Sequence, residues 1–437
     1  MRRSVWVGTF LVVIGILLVV ARVGVTGEPA RAAGVFPSGN VAIDFWWHVG
    51  GPLTPLLKEL VERYKKVRPN ITVNPTISSS TDHNQKLTVA LAAGTGPDII
   101  DNDASFFLQY YNKGLLEPLN PEVFGVKSYA EFASRYEKGG LDGATFDGKV
   151  CALPFQANSM SLFINNKLFA AAGLDPKKDA PKTWQDVIAL GPKLKKVQGT
   201  HTIQKAFDFP YHSPRWQLQM FQPLVEQFGG RILSEDGKTA YLNSPAAVKA
   251  LTLWRDVTKA GGDPKTTMTT ATNSNQDFLD GRLAMWLTGP WATPLFQTST
   301  NANDFTVVSF PQVDPANPHT IIYGWMFGVN KAKPDVQKIV AWNLIKFMLA
   351  KPEEWLAKAG LLQPVKGMLG TEVAKTFPYF DVHMKDISTA SWLVSSEFSN
   401  EIMQALGRAI ERVVFDGADP KASLDRAQVE IERVFKR

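Results

Sequence analysis

The sequence predicts an α/β protein whose parallel sheet is covered by helices on both faces. Between residues 41 and 114, strand-like and helix-like segments alternate three times. Apolar residues alternate along the strand-like segments and recur every three or four positions along the helix-like ones. Strands that alternate with helices pair in parallel, and ligands bind where the carboxyl ends of such strands meet.

Each strand of this first region ends in residues that can contact a ligand. The strand candidates are 41–48, 71–77 and 97–101, and the helix candidates are 52–67, 84–94 and 104–114. The strand ends carry Trp46-Trp47-His48, Ser78-Ser79-Ser80 and Asp101-Asn102-Asp103. We therefore expect an aromatic and polar binding edge on this sheet.

The rest of the chain continues the mixture of strands and helices. Further strands are predicted at 150–155, 161–165, 305–310 and 321–330. Helices begin at the caps Thr183 and Ser244, the segment YHSPRW (211–216) is interpreted as a loop, and the last third is nearly all helical. Short loops rather than one long linker favour two lobes that several chain segments cross.

Length, charge and cysteine content limit the classes of protein to which the chain can belong. The 437 residues suffice for two or more domains with their own cores. Removing residues 1–32 takes away four basic residues and one acidic residue, which lowers the formal net charge from +6 to +3. This balance argues against a nucleic-acid partner. The single cysteine, Cys151, excludes a disulfide framework, and its apolar neighbours predict a buried, unreactive thiol.

The N-terminus has the pattern of a secretory signal peptide. Arg2 and Arg3 precede an apolar run at 5–21, and Ala30-Arg31-Ala32 fits the small-residue cleavage pattern. We expect residues 1–32 to be removed and the protein to be periplasmic or extracellular. The alternative is an uncleaved anchor in the membrane, because 17 apolar residues lie at the lower limit for spanning a bilayer.

Motifs for catalysis and cofactor binding are missing from the sequence. There is no HExxH, GxSxG, P-loop or paired-cysteine metal site, and the six histidines show no ligand spacing. The sequence therefore predicts neither a cofactor nor a metal. An exported glycan-degrading enzyme stays an alternative, because no carboxylate pair is singled out or excluded among many.

Six segments, in order along residues 41–437, resemble extracellular solute-binding proteins of ABC importers. They are FWWHVGGPLTPLLKELVERYKKVRPNITV, AAGTGPDIIDNDASFFLQYYNKGLLEPLN, GKVCALPFQANSMSLFINNKLFAAAGLD with TWQDV, SPAAVKALTLW, FLDGRLAMWLTGPWA and YGWMFGVN. The resemblance is to the sugar-binding group, which includes maltose- and trehalose/maltose-binding proteins. The opening FWWHVGG also resembles glycerol-3-phosphate binders.

The resemblance implies a monomeric, two-lobed protein, not an enzyme, whose hinge closes on a sugar that it delivers to the permease subunits of an ABC importer. Lobe 1 would comprise 41–157 and 325–362, and lobe 2 would comprise 158–324 and 363–437. A glycerol-3-phosphate or other polyol-phosphate ligand is the alternative. Service to a chemoreceptor is also compatible with the sequence.

Sugar capture needs aromatic rings against the C–H faces of a pyranose and polar groups around its hydroxyls. By resemblance and position, the ligand-binding candidates are Trp47, His48, Ser79, Asp101, Asp103, Gln156, Asn158, Trp216, Trp291, Gly324, Trp325 and Gln363. Asp103 could instead cap a helix, and Gly324 could mark a strand bulge. Ser80 and His212 are weaker candidates of the same kind.

Other tryptophans are expected in the core. The set of aromatic residues expected to stack on a sugar is also incomplete. Trp46 should face away from Trp47, and Trp184, Trp254, Trp342 and Trp355 lie on helix faces. The late helix around 398–406 lacks the aromatic residue of maltose binders, so the sequence leaves the particular sugar open. Arg215 is the arginine available to bind a phosphate, although its placement is not clear from the sequence.

Overall fold

The strands form two large sheets and one two-stranded sheet, Thr145–Phe146 with Lys149–Val150, in the computed structural model, which describes residues 36–211, 213–234, 236–262 and 274–436. In chain order the strands are β1 Val41–His48, β2 Ile71–Ser78, β3 Ile99–Asp103, β4 Thr145–Phe146, β5 Lys149–Val150, β6 Ala152–Ser159, β7 Ser161–Asn165, β8 Lys196–Gln198, β9 His201–Asp208, β10 Leu283–Thr288, β11 Phe305–Val308, β12 Thr320–Val329 and β13 Ala390–Trp392. The predicted signal segment, His212 and the side chain of Ser80 lie outside the described residues.

Helices cover both sheets. They are α1 Leu53–Val67, α2 Ser80–Ala92, α3 Ala104–Asn112, α4 Tyr129–Ala133, α5 Asn166–Ala171, α6 Trp184–Leu194, α7 Pro214–Gln227, α8 Pro245–Gly261, α9 Ser274–Leu279, α10 Thr293–Gln297, α11 Asp335–Met348, α12 Pro352–Ala359, α13 Glu372–Thr376, α14 Phe380–Ser388, α15 Ser399–Phe415 and α16 Pro420–Phe435. None of the helices in the described ranges combines the length and apolar character needed to span a bilayer.

The first sheet has the order β13-β12-β3-β1-β2, and β6 pairs with β12 as well. Strand β1 is parallel to both β2 and β3, which confirms the parallel arrangement predicted from the strand–helix alternation. Strand β12 runs antiparallel to β3 and β6, so the sheet is mixed. Its register sets Trp325 opposite Asp103 on one side and opposite Gln156 on the other.

The second sheet has the order β11-β7-β10-β9-β8. Strands β9 and β10 are parallel, whereas β7 runs antiparallel to both β10 and β11. The sequence analysis did not identify β9 and β10. It also assigned YHSPRW to a loop, whereas Pro214 begins α7 at the first helical position, which places Arg215 and Trp216 in its first turn. Proline is favoured there because its fixed φ suits the helix and the missing N–H is not needed.

Apolar burial follows the predicted patterns on most helices. The stripe predicted on α1 is buried throughout and comprises Leu53, Leu56, Leu57, Leu60, Val61 and Tyr64. The four tryptophans predicted on helix faces, Trp184, Trp254, Trp342 and Trp355, are all buried, as expected. Cys151 is buried too, and burial raises the pKa of its thiol to about 12, which keeps it protonated and unreactive.

The chain passes from the first sheet to the second between β6 and β7. Strand β6 of the first sheet is separated from β7 of the second by Met160 alone. The Asn158 amide donates to the Gly360 carbonyl at 3.0 Å and accepts from the Leu362 N–H at 2.9 Å. These bonds fasten the segment after α12 to the end of β6. The lobe boundaries inferred from the resemblance stay a prediction.

A buried polar cluster ties helix α14 to the same crossing. Ser161 Oγ lies 2.6 Å from Asp386 Oδ2 and 3.1 Å from His383 Nδ1, and Ser159 Oγ donates to the His383 carbonyl at 3.0 Å. Burial lowers the pKa of His383 to about 3 and raises the pKa of Asp386 to about 7, although hydrogen bonding to Ser161 opposes the second shift. Both side chains are therefore held uncharged over the acidic range.

These two shifts should affect stability in opposite directions. Asp386 keeps a proton in the folded state that the unfolded chain loses above its ordinary pKa of 3.8, so its contribution to stability falls as pH rises toward 7. His383 stays neutral while the unfolded histidine is protonated below 6.5, so its contribution falls as pH drops toward 3. Between about pH 4 and 6.5 the two effects oppose each other.

In Asp386→Asn, we expect His383 alone of this pair to contribute to the pH dependence of stability. The free energy of unfolding of this variant, measured by urea denaturation, should fall relative to the unmodified protein by up to about 1 kcal/mol per pH unit between pH 6 and 4. His383→Gln should show the opposite slope. Asp381→Asn, an exposed carboxylate on the same helix, is the control. Parallel pH profiles for all the variants would contradict the assignment.

Candidate functional site

A cavity of about 360 Å³ lies where elements of the first sheet face elements packed on the second. The first sheet contributes the loop after β1 and residues of β6 and β12, while α7, α9 and the turn after β10 form the opposite wall. Its lining includes His48, Gln156, Arg215, Trp216, Asn275, Trp291, Tyr323 and Trp325. This volume lies toward the lower end of the ~300–1,000 Å³ typical of small-molecule sites.

His48 and Trp325 stack on each other at one side of the cavity. Their ring centroids are 3.6 Å apart and their planes differ by 23°. His48 Nδ1 lies 2.7 Å from Asp101 Oδ2, which also accepts from the His48 backbone N–H at 2.9 Å. Because an ionised carboxylate only accepts, Nδ1 carries the proton and Nε2 is left for another partner. Asp101 therefore orients His48 from behind the cavity.

Arg215 joins the two walls through a buried ion pair. Its Nη1 lies 3.3 Å from Asp103 Oδ2 and also donates to the Tyr323 hydroxyl. That hydroxyl accepts from Trp325 Nε1 as well. The guanidinium carbon lies 5.2 Å from the ring centroid of Tyr323 and 5.0 Å from that of Trp325, within cation–π range. One face of Trp325 is thus occupied by His48, and Arg215 lies over the indole too.

Trp291 lies on the opposite wall and is half-buried. Its ring folds over Gly289, where a Cβ would come within 2.0 Å of the indole. The turn that carries Trp291 packs on the end of α12, where a Cβ at Gly360 would lie 2.2 Å from the Pro290 carbonyl oxygen. Close approach therefore requires glycine at both positions and fixes where the indole stands, and the positive φ of Gly360 favours glycine there as well.

Trp216 and Tyr323 complete an aromatic wall around Trp291. The Trp291 centroid is 5.5 Å from that of Tyr323 and 6.2 Å from that of Trp216, with the two indoles nearly perpendicular. Trp216 also stacks at 6.4 Å on buried Trp286, whose Nε1 donates to Asn275. Because Trp216 and Trp291 are only half-buried, they are the aromatic groups best exposed to the cavity.

Five of the predicted site residues line one cavity, and two more lie directly behind it. The lining residues are His48, Gln156, Trp216, Trp291 and Trp325. Asp101 and Asp103 are buried behind them and act through His48 and Arg215. Asp103 Oδ1 also accepts from Ser105 N at 2.9 Å, so the helix-capping role considered for Asp103 is present as well.

Trp47 does not face the cavity, which corrects the predicted facing of β1. It is fully buried with its ring centroid 4.7 Å from that of Phe45, whereas Trp46 is half-buried. The sequence pattern predicts the reverse, with Trp47 facing the ligand and Trp46 packed in the core. Both faces of a parallel sheet are covered by helices, so apolar residues occupy both and alternation does not identify the binding side.

Four other candidates have structural partners or lie away from the cavity lining. Ser79 caps α2 by accepting from Asp82 N, and the amide of Asn158 is committed to the crossing. A Cβ at Gly324 would lie 2.6 Å from the Gln156 carbonyl oxygen and 2.7 Å from the Trp392 ring, so the strand needs glycine there. Gln363 is buried, and its Nε2 has no partner among the described residues.

Sequence reasoning missed Tyr323 and Asn275 and left Arg215 unplaced. Tyr323 precedes the glycine of YGW, and alternation from Trp325 would have set it on the same side of β12. Arg215 lies 112 residues from Asp103 in the chain, so only the tertiary structure brings them together. Within the described residues, no group of three His, Cys, Asp or Glu side chains is arranged to hold a metal ion.

A second cavity of about 550 Å³ adjoins the first at Arg215. Helices α2 and α3 form one side of it, and α15 together with the start of α7 forms the other. Its lining is rich in amide and charged side chains, among them Asn84, Gln109, Lys113, Asn400, Glu401 and Gln404. Asn400 and Met403, which belong to the late helix around 398–406, also line this second cavity.

Comparisons with known proteins agree with the geometry. A maltotriose-binding protein of Pyrococcus abyssi is 22% identical over 412 residues, which cover 90% of this chain and 82% of the relative. The sn-glycerol-3-phosphate-binding periplasmic protein of Shigella dysenteriae is 26% identical over 363 residues, which cover 77% and 78%. The maltose/maltodextrin-binding domain of Bdellovibrio bacteriovorus, solved with maltotriose, superposes with a TM-score of 0.78 at 20% identity, covering 91% of this chain and 100% of that one.

The family comparison confirms the resemblance read from the six segments. The model for the bacterial extracellular solute-binding proteins matches residues 50–355. That range exceeds half of the chain and contains β2 to β12, whereas β1 lies just before it. The chain therefore belongs to the family of bacterial extracellular solute-binding proteins.

Proposed function

We propose that this protein captures a sugar outside the cytoplasmic membrane and delivers it to the permease of an ABC importer. The observation that carries the proposal is one cavity in which half-buried indoles face hydrogen-bonding groups. Trp216 and Trp291 offer ring faces, while His48 and Gln156 offer polar atoms on the other wall. A pyranose presents the matching combination of C–H faces and rim hydroxyls.

The charge of the site favours a neutral ligand. Arg215 is balanced by Asp103, and the carboxylate of Asp101 lies behind His48. An anionic ligand such as a polyol phosphate would have to compete with the Asp103 carboxylate for the Arg215 guanidinium. The maltotriose-binding relative supports a sugar, and the glycerol-3-phosphate-binding relative keeps the phosphate ester as the second candidate.

Binding without chemistry is part of the proposal. Asp101 and Asp103 contact the lining residues His48 and Arg215 from behind and are not placed on either side of a glycosidic bond. We propose that a signal peptide at 1–32 exports a monomer whose lobes, with the boundaries given above, close around the ligand. Sugar products released from a glycan panel would instead identify an enzyme.

A thermal-shift screen tests the ligand class. A sugar present at 100 times its Kd should stabilise the folded protein by about 2.7 kcal/mol, because it binds only the folded state. The panel should contain monosaccharides, maltose and mannose oligomers, and sn-glycerol-3-phosphate. A shift with the phosphate ester and with none of the sugars would replace the proposed ligand class with the second candidate.

Trp291→Ala should weaken sugar binding at least tenfold, or about 1.4 kcal/mol, because it removes a ring face from the cavity wall. Isothermal titration calorimetry with the best sugar of the screen gives the Kd. Trp46→Ala is the matched control, since Trp46 is also half-buried but does not line the cavity. Equal affinities for Trp291→Ala and the unmodified protein would remove this indole from the site.

Gly360→Ala should weaken binding because it should displace the turn that carries Trp291. The new Cβ would strain a residue at φ +63° and collide with the Pro290 carbonyl. Gly173→Ala is the control, because it has a similar φ of +72° but nothing within 4 Å of the added atom. We expect both variants to lose stability in thermal denaturation, and only Gly360→Ala to lose several-fold in affinity. An unchanged Kd for Gly360→Ala would show that this contact does not set the site.

A further inference from the structure

Arg215 occupies the boundary between two cavities. It lines the 360 Å³ cavity next to Trp216 and also the 550 Å³ cavity bounded by α2, α3 and α15. Among the described residues, Arg215 alone belongs to both linings. The aromatic groups are concentrated on one side of Arg215, and amide side chains such as Gln109 and Asn400 lie on the other.

Contacts from three sides hold the guanidinium in this boundary. Nη1 reaches Asp103 Oδ2 at 3.3 Å and donates to the Tyr323 hydroxyl, and the group lies over the Trp325 ring. Asp103 is itself fixed, since its Oδ1 accepts from both the N–H and the hydroxyl of Ser105. Arg215 is consequently 93% buried although the cavities on both sides of it are open.

The position of Arg215 in its helix makes it depend on Asp103. It is the second residue of α7, where the positive end of the helix dipole disfavours a cation. Asp103, at the end of β3, supplies the negative charge that holds the side chain across the cleft. A ligand that displaced Arg215 would leave this buried carboxylate without its partner, which is unfavourable.

We propose that Arg215, held by Asp103, is a gate for ligand length that confines the ligand to the smaller cavity. This inference rests on the proposed sugar function and adds to it. A short sugar fills the cavity beside Trp291 and leaves the ion pair intact. A longer oligosaccharide has to place its next ring where the guanidinium stands, so its binding includes the loss of the Asp103 contact.

Removal of the gate should join the two cavities into one cleft. The amide-rich lining beyond Arg215, with Gln109 and Asn400, then becomes available to the hydroxyls of an added sugar ring. The selectivity of the protein for length, rather than its affinity for sugars in general, is therefore the property that Arg215 determines.

The test is a calorimetric titration with two series of increasing length. These are glucose, maltose, maltotriose and maltotetraose, and mannose, mannobiose and mannotriose. In the series that binds, the unmodified protein should prefer a short member and lose at least tenfold in affinity on the addition of a further ring. The double variant Arg215→Ala with Asp103→Asn should raise the ratio of long-ligand to short-ligand affinity at least tenfold.

The double variant is chosen to keep the fold. It removes both members of the ion pair together, so no unpaired buried charge remains, and asparagine can still cap α3. Tyr323→Phe, which removes only a hydroxyl partner of Arg215, should shift the ratio in the same direction by a smaller factor. Arg255→Ala, an arginine paired with Asp256 on α8, is the control and should leave the ratio unchanged.

The outcomes separate the gate from the function on which it rests. An unmodified protein that binds long and short members equally would overturn the gate. So would a double variant that weakens every member by the same factor, because Arg215 would then be an ordinary ligand contact. If no member of either series binds, the proposed sugar function fails, and the inference fails with it.

Discussion

Strand β12 is the structural element on which the site depends. Its antiparallel pairing with β3 on one edge and β6 on the other brings Asp103, Trp325 and Gln156 into one row across the first sheet. Tyr323, two residues earlier on the same face, then meets Arg215 from the second wall. A shift of the register by one residue would turn Tyr323 and Trp325 to the other face and dissolve the cavity wall.

The second constraint is the neutralisation of buried charge at the boundary between the two walls. Asp101 and Asp103 are buried at the end of β3, where an unpaired carboxylate is strongly destabilising. His48 pairs with Oδ2 of Asp101, whose Oδ1 has no partner among the described residues, and Arg215 pairs with Oδ2 of Asp103. The first pair lies within one wall and orients a ligand-facing ring, whereas the second connects the walls. The end of β3 therefore both orients a residue of the cavity lining and holds the two walls in contact.

Sequence reasoning was most successful where local patterns carry the information. The strand–helix alternation predicted the parallel pairing of β1 to β3, and the strand-end rule led to His48, Asp101 and Asp103. It predicted Trp47 at the ligand and Trp46 in the core, whereas Trp47 is fully buried. Helices cover both faces of that sheet, so alternation does not identify the binding side. Nor could it show that Asn158 is committed to the Gly360 carbonyl, a contact over 202 residues of chain. Such pairings depend on the tertiary fold rather than on spacing.

The placement of the aromatic residues also follows from these contacts. Trp325 lines the cavity as predicted for a ligand-facing residue, but His48 stacks on its ring and Arg215 lies 5.0 Å from its centroid. In the proposed site, stacking on a sugar would therefore fall to Trp216 and Trp291, the half-buried indoles of the opposite wall. Helix α15 has no aromatic residue at the second cavity and contributes Asn400 and Met403 instead. The tryptophans of the cleft thus lie on one side of Arg215, and Phe106 is the aromatic residue among the described residues that line the second cavity, so the ring faces suited to a pyranose are concentrated in the first cavity.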